Sequence, residues 1–169
     1  MYIDEVYLPL PGENIPSGRP EQPSRFVMDF FRDSPFPVSF LINPIVFDKP
    51  VEDIAGVITN KLMDMCDKYN IRSVTLSNLM LAQYINRRIP ELALHASVLM
   101  EIFTPTQLVY LNEVFDVLVP SSRIIRDLKA LRRLKNSFNG IVKLIVNEGC
   151  LPHCVLRNQH FYEMGCKTP

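Results

Sequence analysis

Three cysteines crowd one segment, in Cys150-Leu151-Pro152-His153-Cys154 and then Cys166, with His160 between them. Thiolates gathered on one short stretch suit a soft metal, either zinc or an iron–sulfur cluster. The spacing is not the paired CxxC of a zinc ribbon. It also lacks the third cysteine of the CxxxCxxC run used by radical enzymes that take S-adenosylmethionine. A fourth ligand would be His153, His160 or a residue missing from a truncated chain. Two other readings of the same residues stay open: reduced, unliganded thiols, or a thiol nucleophile pairing Cys150 with His153 or His95. Cys66 falls in line with Leu62 and Met65 on an apolar helix face and is expected to be structural and buried.

Other candidates stand where apolar runs stop. His95, in Leu94-His95-Ala96-Ser97, can exchange a proton near neutral pH. Asn147 and Glu148 close the last apolar run, directly before the cysteines, and Asn43 closes the second. Arg19, in Pro16-Ser17-Gly18-Arg19-Pro20, and Arg157 are candidates to meet an anionic substrate. Ser77, Ser121 and Ser122 read as polar loop ends and helix caps rather than as site residues. No Ser-His-Asp order, HExxH or phosphate loop is present.

Positioning these residues needs a scaffold. Six apolar runs read as strands: Ile3–Leu8, Val38–Asn43, Ser73–Leu76, Leu92–Ala96, Val114–Val119 and Val142–Asn147. Several are too continuously apolar to leave one face wet, the pattern of a parallel sheet. Helical periodicity fills the intervals at Ser24–Arg32, Val51–Tyr69, Leu79–Arg88 and Arg123–Leu134. A further helix is expected from Thr104-Pro105-Thr106-Gln107 to about Glu113, and Asn139-Gly140 should close the exit of the Arg123–Leu134 helix. Strand–helix alternation means a parallel sheet with right-handed crossovers. Pro9-Leu10-Pro11-Gly12-Glu13 after the first run is no dinucleotide fingerprint, which disfavours a doubly wound sheet. The expected fold is a partial TIM-type (β/α) barrel: six parallel strands, outer helices, and one incomplete domain over residues 1–169. A full barrel has eight strands, so a partner or missing C-terminal strands are needed to close it.

The composition agrees with a folded domain. Of 169 residues, 47% are hydrophobic and 21% charged, and eighteen basic residues cancel eighteen acidic ones. That balance argues against disorder and against an extended nucleic-acid surface. No apolar run is long enough to span a membrane, and Met1 to Glu13 does not read as a secretion signal. A cytoplasmic location is expected.

Three stretches together resemble the peptidase U-thirty-two family, also called collagenase-like proteases: Leu94-His95-Ala96-Ser97-Val98-Leu99-Met100, Val117-Leu118-Val119-Pro120-Ser121-Ser122-Arg123, and Val142 to Cys154. The resemblance covers Ser73 to Cys166. Leu10-Pro11-Gly12 and Ser17-Gly18-Arg19-Pro20 are similar to a bacterial branch of that family. It implies a barrel fold and cysteine ligands for an iron–sulfur cluster, here Cys150, Cys154 and Cys166. It also implies a small-molecule or nucleobase substrate, because several relatives hydroxylate nucleobases or quinone precursors without oxygen; others are described as peptidases. Asn147-Glu148 replaces the family's histidine-containing turn, the cysteine spacing is shorter than in the hydroxylating branch, and a fourth cysteine is absent. A peptidase, or a non-catalytic partial barrel that binds a partner chain, are the alternatives.

Overall fold

The computed structural model describes residues 3–12, 15, 25–32, 35–69, 71–147 and 154–166, apart from the side chains of 164–166. The strands are β1 (Val6–Pro9), β2 (Val38–Ile42), β3 (Ile71–Leu76), β4 (Ala93–Ala96), β5 (Val117–Leu118) and β6 (Ile141–Val142). The α-helices are α1 (Arg25–Arg32), α2 (Val51–Lys68), α3 (Leu79–Arg88), α4 (Leu128–Ser137) and α5 (Arg157–Cys166). All six strands lie in one sheet in sequence order, and each neighbouring pair is parallel. A doubly wound sheet would reverse its strand order at a switch point. This one does not, so the barrel-type reading holds.

Register sorts the strand residues onto two faces. Val38, Phe40 and Ile42 align with Ile71, Val74 and Leu76; Val74 and Leu76 align with Leu94 and Ala96, and Ala96 with Leu118. Together with buried helix residues such as Ile58, Leu62, Leu81 and Ile85, these form the core. The alternate positions, Ser39, Leu41, Ser73, Thr75 and His95, are buried too, yet most of them are polar. Barrel interiors are normally filled by branched apolar side chains, so this second face is unusual.

The sheet is curled toward that polar face. Five strand spacings separate β1 from β6, ~24 Å if the sheet were flat. Yet Lys143 Nζ lies 2.8 Å from Glu5 Oε2 and 2.6 Å from Tyr7 Oη. Side chains therefore bridge edges that no backbone ladder joins, and the sheet is an open, partial barrel.

Several expected boundaries move, each for a local reason. Only Val117–Leu118 of the Val114–Val119 run is paired, because Phe115 N–H still bonds Leu111 O in the preceding turn. Val142–Asn147 shrinks to Ile141–Val142, followed by one last bond from Lys143 N–H to Leu118 O. A strand cannot pair beyond the end of its neighbour. The expected helix from Arg123 begins instead at Leu128, because the Asp127 carboxylate accepts from the N–H groups of Lys129 and Ala130. The Thr104 segment forms a shorter 3₁₀ helix, Pro105–Tyr110. In α1 the buried residues are Met28 and Phe31, and Phe26 and Phe30 face out. Helix α5 was not read from the sequence.

The start of α3 gives a direct check. Asn78 Oδ1 accepts from Leu81 N–H at 3.0 Å. Asn78→Ala is expected to cost about 1 kcal/mol, as for other lost N-caps. That is a fall of about 2–4 °C in Tm for a chain of this size, measured by thermal unfolding.

Candidate functional site

The polar face is built strand by strand. On β2 and β3, Ser39 Oγ and Thr75 Oγ1 lie 3.4 Å apart. Ser73 donates to Glu5 Oε1 at 2.5 Å, and Glu5 Oε2 takes the Lys143 ammonium. Thr75 is in register with His95, which is in register with Val117. His95 is 5% exposed and Asn43, one residue past β2, is 9% exposed. Among the described residues neither His95 Nδ1 nor Asn43 Oδ1 has a hydrogen-bond partner. Leaving a buried polar atom unpaired costs about 1–3 kcal/mol, so each needs an explanation in function or strain.

Burial and neighbouring charge set the protonation states. For Glu5, burial alone would raise the carboxyl. Hydrogen bonds with Lys143, Ser73 and Tyr7, and the charge of a protonated His95, outweigh it and hold the group below the ordinary carboxylate range. Burial opposes the Lys143 charge, but Glu5 and Tyr7 hold its ammonium above the usual value. The Tyr7 phenol is pushed up, mainly by burial. Burial pushes His95 down against the pull of Glu5, with Lys143 adding to the fall and Asp116 opposing it. At neutral pH the inner face therefore carries an ionised Glu5–Lys143 pair beside a neutral imidazole.

The strand-end serines behave as caps and struts. Ser97 Oγ accepts from Leu99 N–H, and Ser77 donates to Pro44 O. Ser121 donates to Glu101 Oε2 at 2.7 Å and accepts from Arg123 N–H.

Of the candidates read from the sequence, His95 and Asn43 belong to the inner face. Asn147 is exposed, five residues beyond β6. Cys154 is half-buried just before α5. Cys166 is the last residue of α5. Arg19, Glu148, Cys150 and His153 lie outside the described residues, and with them the expected approach of the Cys150 and Cys154 sulfurs. His160 is exposed on α5, stacked on Phe161. Cys66 is half-buried rather than fully buried, and its thiol is pushed up to about 11, by burial first and then by Asp67 and Glu91. Among the described residues no three His, Cys, Asp or Glu side chains are grouped to hold a metal ion. Of the three clustered cysteines, only Cys154 has its side chain among the described residues.

Glu5, Tyr7, Ser73, Thr75 and Lys143 escaped the sequence reading. Their signals were present: Ser73 and Thr75 two apart among apolar residues, and one lysine inside the run Ile141-Val142-Lys143-Leu144-Ile145-Val146.

Fold and site together define a partial (β/α) barrel with a polar interior, open between its first and last strands. No protein-family profile and no curated protein matches the sequence. Among solved structures, the U32 peptidase Mk0906 is similar over 98% of this chain and 69% of that chain, with a TM-score of 0.80 and 12% identity. The likeness is one of fold: the chain has a U32-peptidase-like architecture.

Proposed function

We propose that the protein is a U32-type cytoplasmic enzyme that takes a small molecule or nucleobase onto the inner face of its sheet, with His95 transferring the proton. The observation that carries this reading is the buried His95 Nδ1 without a partner, beside the Glu5–Lys143 pair and on a face built from hydroxyls. A neutral imidazole can accept a proton near neutral pH. Asn43 Oδ1 is an acceptor for a ligand N–H, and Arg19 is assigned to an anionic part of the substrate. Asn147 and Glu148, which close the last apolar run directly before the cysteines, are further catalytic candidates on sequence position alone. An iron–sulfur cluster on Cys150, Cys154 and Cys166, which would supply electron transfer, belongs to this reading on cysteine spacing and family resemblance alone.

Two measurements test it. Titration with a panel of nucleobases and small heterocycles, followed by NMR, should find binders. His95→Gln should weaken them by about ten- to a hundredfold, as loss of a buried hydrogen bond does, with the circular dichroism unchanged. Binding should be level above neutral pH and weaken below the ordinary histidine value of 6.5, because protonation removes the acceptor. Equal affinity in His95→Gln rejects the role of His95. Anaerobic purification should yield iron and acid-labile sulfide; colourless, iron-free protein rejects the cluster.

A second reading, a partial barrel that binds a partner chain along β6, is favoured by the exposure of Ile141 on that edge strand. Solubility that depends on a co-expressed partner would select it.

A further inference from the structure

The loops at the C-terminal ends of β4 and β5 hold a cluster that the reading above does not use. Its centre is Glu101, which is non-glycine yet left-handed, with φ 51°. Such backbone conformations are costly and persist where the surroundings enforce them. Here the Glu101 carbonyl accepts from Gln107 Nε2 at 3.1 Å. Its carboxylate accepts from Ser121 Oγ and lies 3.3 Å from Arg123 Nε and 3.4 Å from Arg157 Nε. Arg157 also donates to Ser122 Oγ at 3.1 Å and packs over the Phe161 ring. One carboxylate thus ties the loop after β4, the loop after β5 and the first turn of α5.

An exposed ion pair would contribute little, and Arg123, 55% exposed, makes one of that kind. Arg157 differs: its side chain is only 10% exposed. Removing Glu101 takes a carboxylate from beside this buried guanidinium, which weakens the hold on the segment carrying it. Arg157 N–H in turn bonds Cys154 O at 3.2 Å, so Cys154 moves with that segment.

We propose that Glu101 is a positioning residue that holds α5 and the Cys154 turn against the C-terminal ends of β4 and β5, as a cover over the inner-face site. The word cover rests on the reaction reading above; the tie itself does not. C-terminal strand ends are where barrel enzymes place their chemistry, and a segment held there through side-chain ties can open without unfolding the sheet.

The test uses the full chain and needs no ligand. Iodoacetamide labelling is followed cysteine by cysteine through peptide mass spectrometry, with Cys66 on α2 as the internal reference for an intact fold. Glu101→Ala should speed Cys154 labelling about tenfold by local opening, while Cys66 keeps its wild-type rate. Glu101→Gln keeps an acceptor for Ser121 but loses the charge, and should give a smaller gain. Arg157→Gln breaks the same tie from the helix side and should match Glu101→Ala, with the double variant no faster than either. Unchanged Cys154 labelling in Arg157→Gln, with Cys66 protected, overturns the proposal. If Glu101→Ala unfolds, Cys66 accelerates too, and Arg157→Gln decides. Failure of the His95 ligand test would leave these rates untouched, so the two ideas fail separately.

Discussion

Gly140→Ala is expected to lower the stability by about 3 kcal/mol, the upper end for forcing atoms into a filled site. A Cβ at residue 140 would stand 2.0 Å from the carbonyl oxygen of Asp116 and 2.8 Å from Phe138 Cε1. The Asp116 oxygen belongs to backbone, so no rotamer change relieves the overlap. The same oxygen accepts from Ile141 N–H at 2.9 Å, the first bond that docks β6 onto β5. The alanine methyl and that bond cannot both be accommodated without moving the strand. β6 is only two residues long, so each of its few backbone bonds to β5 matters. Chemical denaturation should therefore show a lower midpoint, and hydrogen exchange should show early loss of protection at Ile141 and Lys143. A midpoint within experimental error of the wild type would mean that β6 shifts freely, and that the close approach to Asp116 is not needed.

Lys143→Met is expected to cost about 2 kcal/mol at neutral pH. Removing one partner of a fully buried pair costs ~3–5 kcal/mol, and the figure is reduced here because Lys143 is 39% exposed and partly screened by solvent. The methionine keeps the length of the stem but leaves Glu5 desolvated without its cation. The pH dependence has a definite sign. In the wild type the Glu5 carboxyl is depressed below its ordinary 4.5, so its contribution is present above that value and disappears as the pH falls through the depressed one. In the variant Glu5 loses its main donor and protonates more readily. The deficit should thus be largest at neutral pH and shrink on acidification below about 4.5. The Lys143 ammonium, held above its ordinary 10.5, keeps the wild-type contribution intact through mildly alkaline pH. Denaturant midpoints from pH 3 to 9 for both proteins would show this. A deficit constant across that range would mean that packing of the lysine stem, not its charge, holds the sheet edges together. Gly140→Ala and Lys143→Met act through the same short strand, so their effects should be less than additive.

Much of the architecture was legible in the chain. Alternating apolar runs and periodic helices fixed six parallel strands in sequence order. The lack of a glycine-rich turn after the first strand pointed away from a doubly wound sheet. Such features are local, with period two or 3.6, and survive without knowledge of the fold. Boundaries were less legible, because a strand ends where its partner ends. β5 pairs over two residues, and β6 can do no more, whatever the apolar length of Val142–Asn147.

The chain alone also singled out His95 and Asn43, since a polar residue within or ending an apolar run is visible in one dimension. It could not show that both are buried with an unpaired atom, which depends on every neighbour. Gly140 was read as a helix exit, yet its need for a missing side chain comes from Asp116 on another strand. Glu5, Tyr7 and Lys143 lie at opposite ends of the chain, and only the curl of the sheet brings them within hydrogen-bond distance. Glu101 and Arg157 likewise meet only because α5 docks on the loops after β4 and β5. Residue type and spacing determined which elements form and in what order. Long-range contacts, which have no period along the chain, decided which polar groups meet and which are left to meet something else.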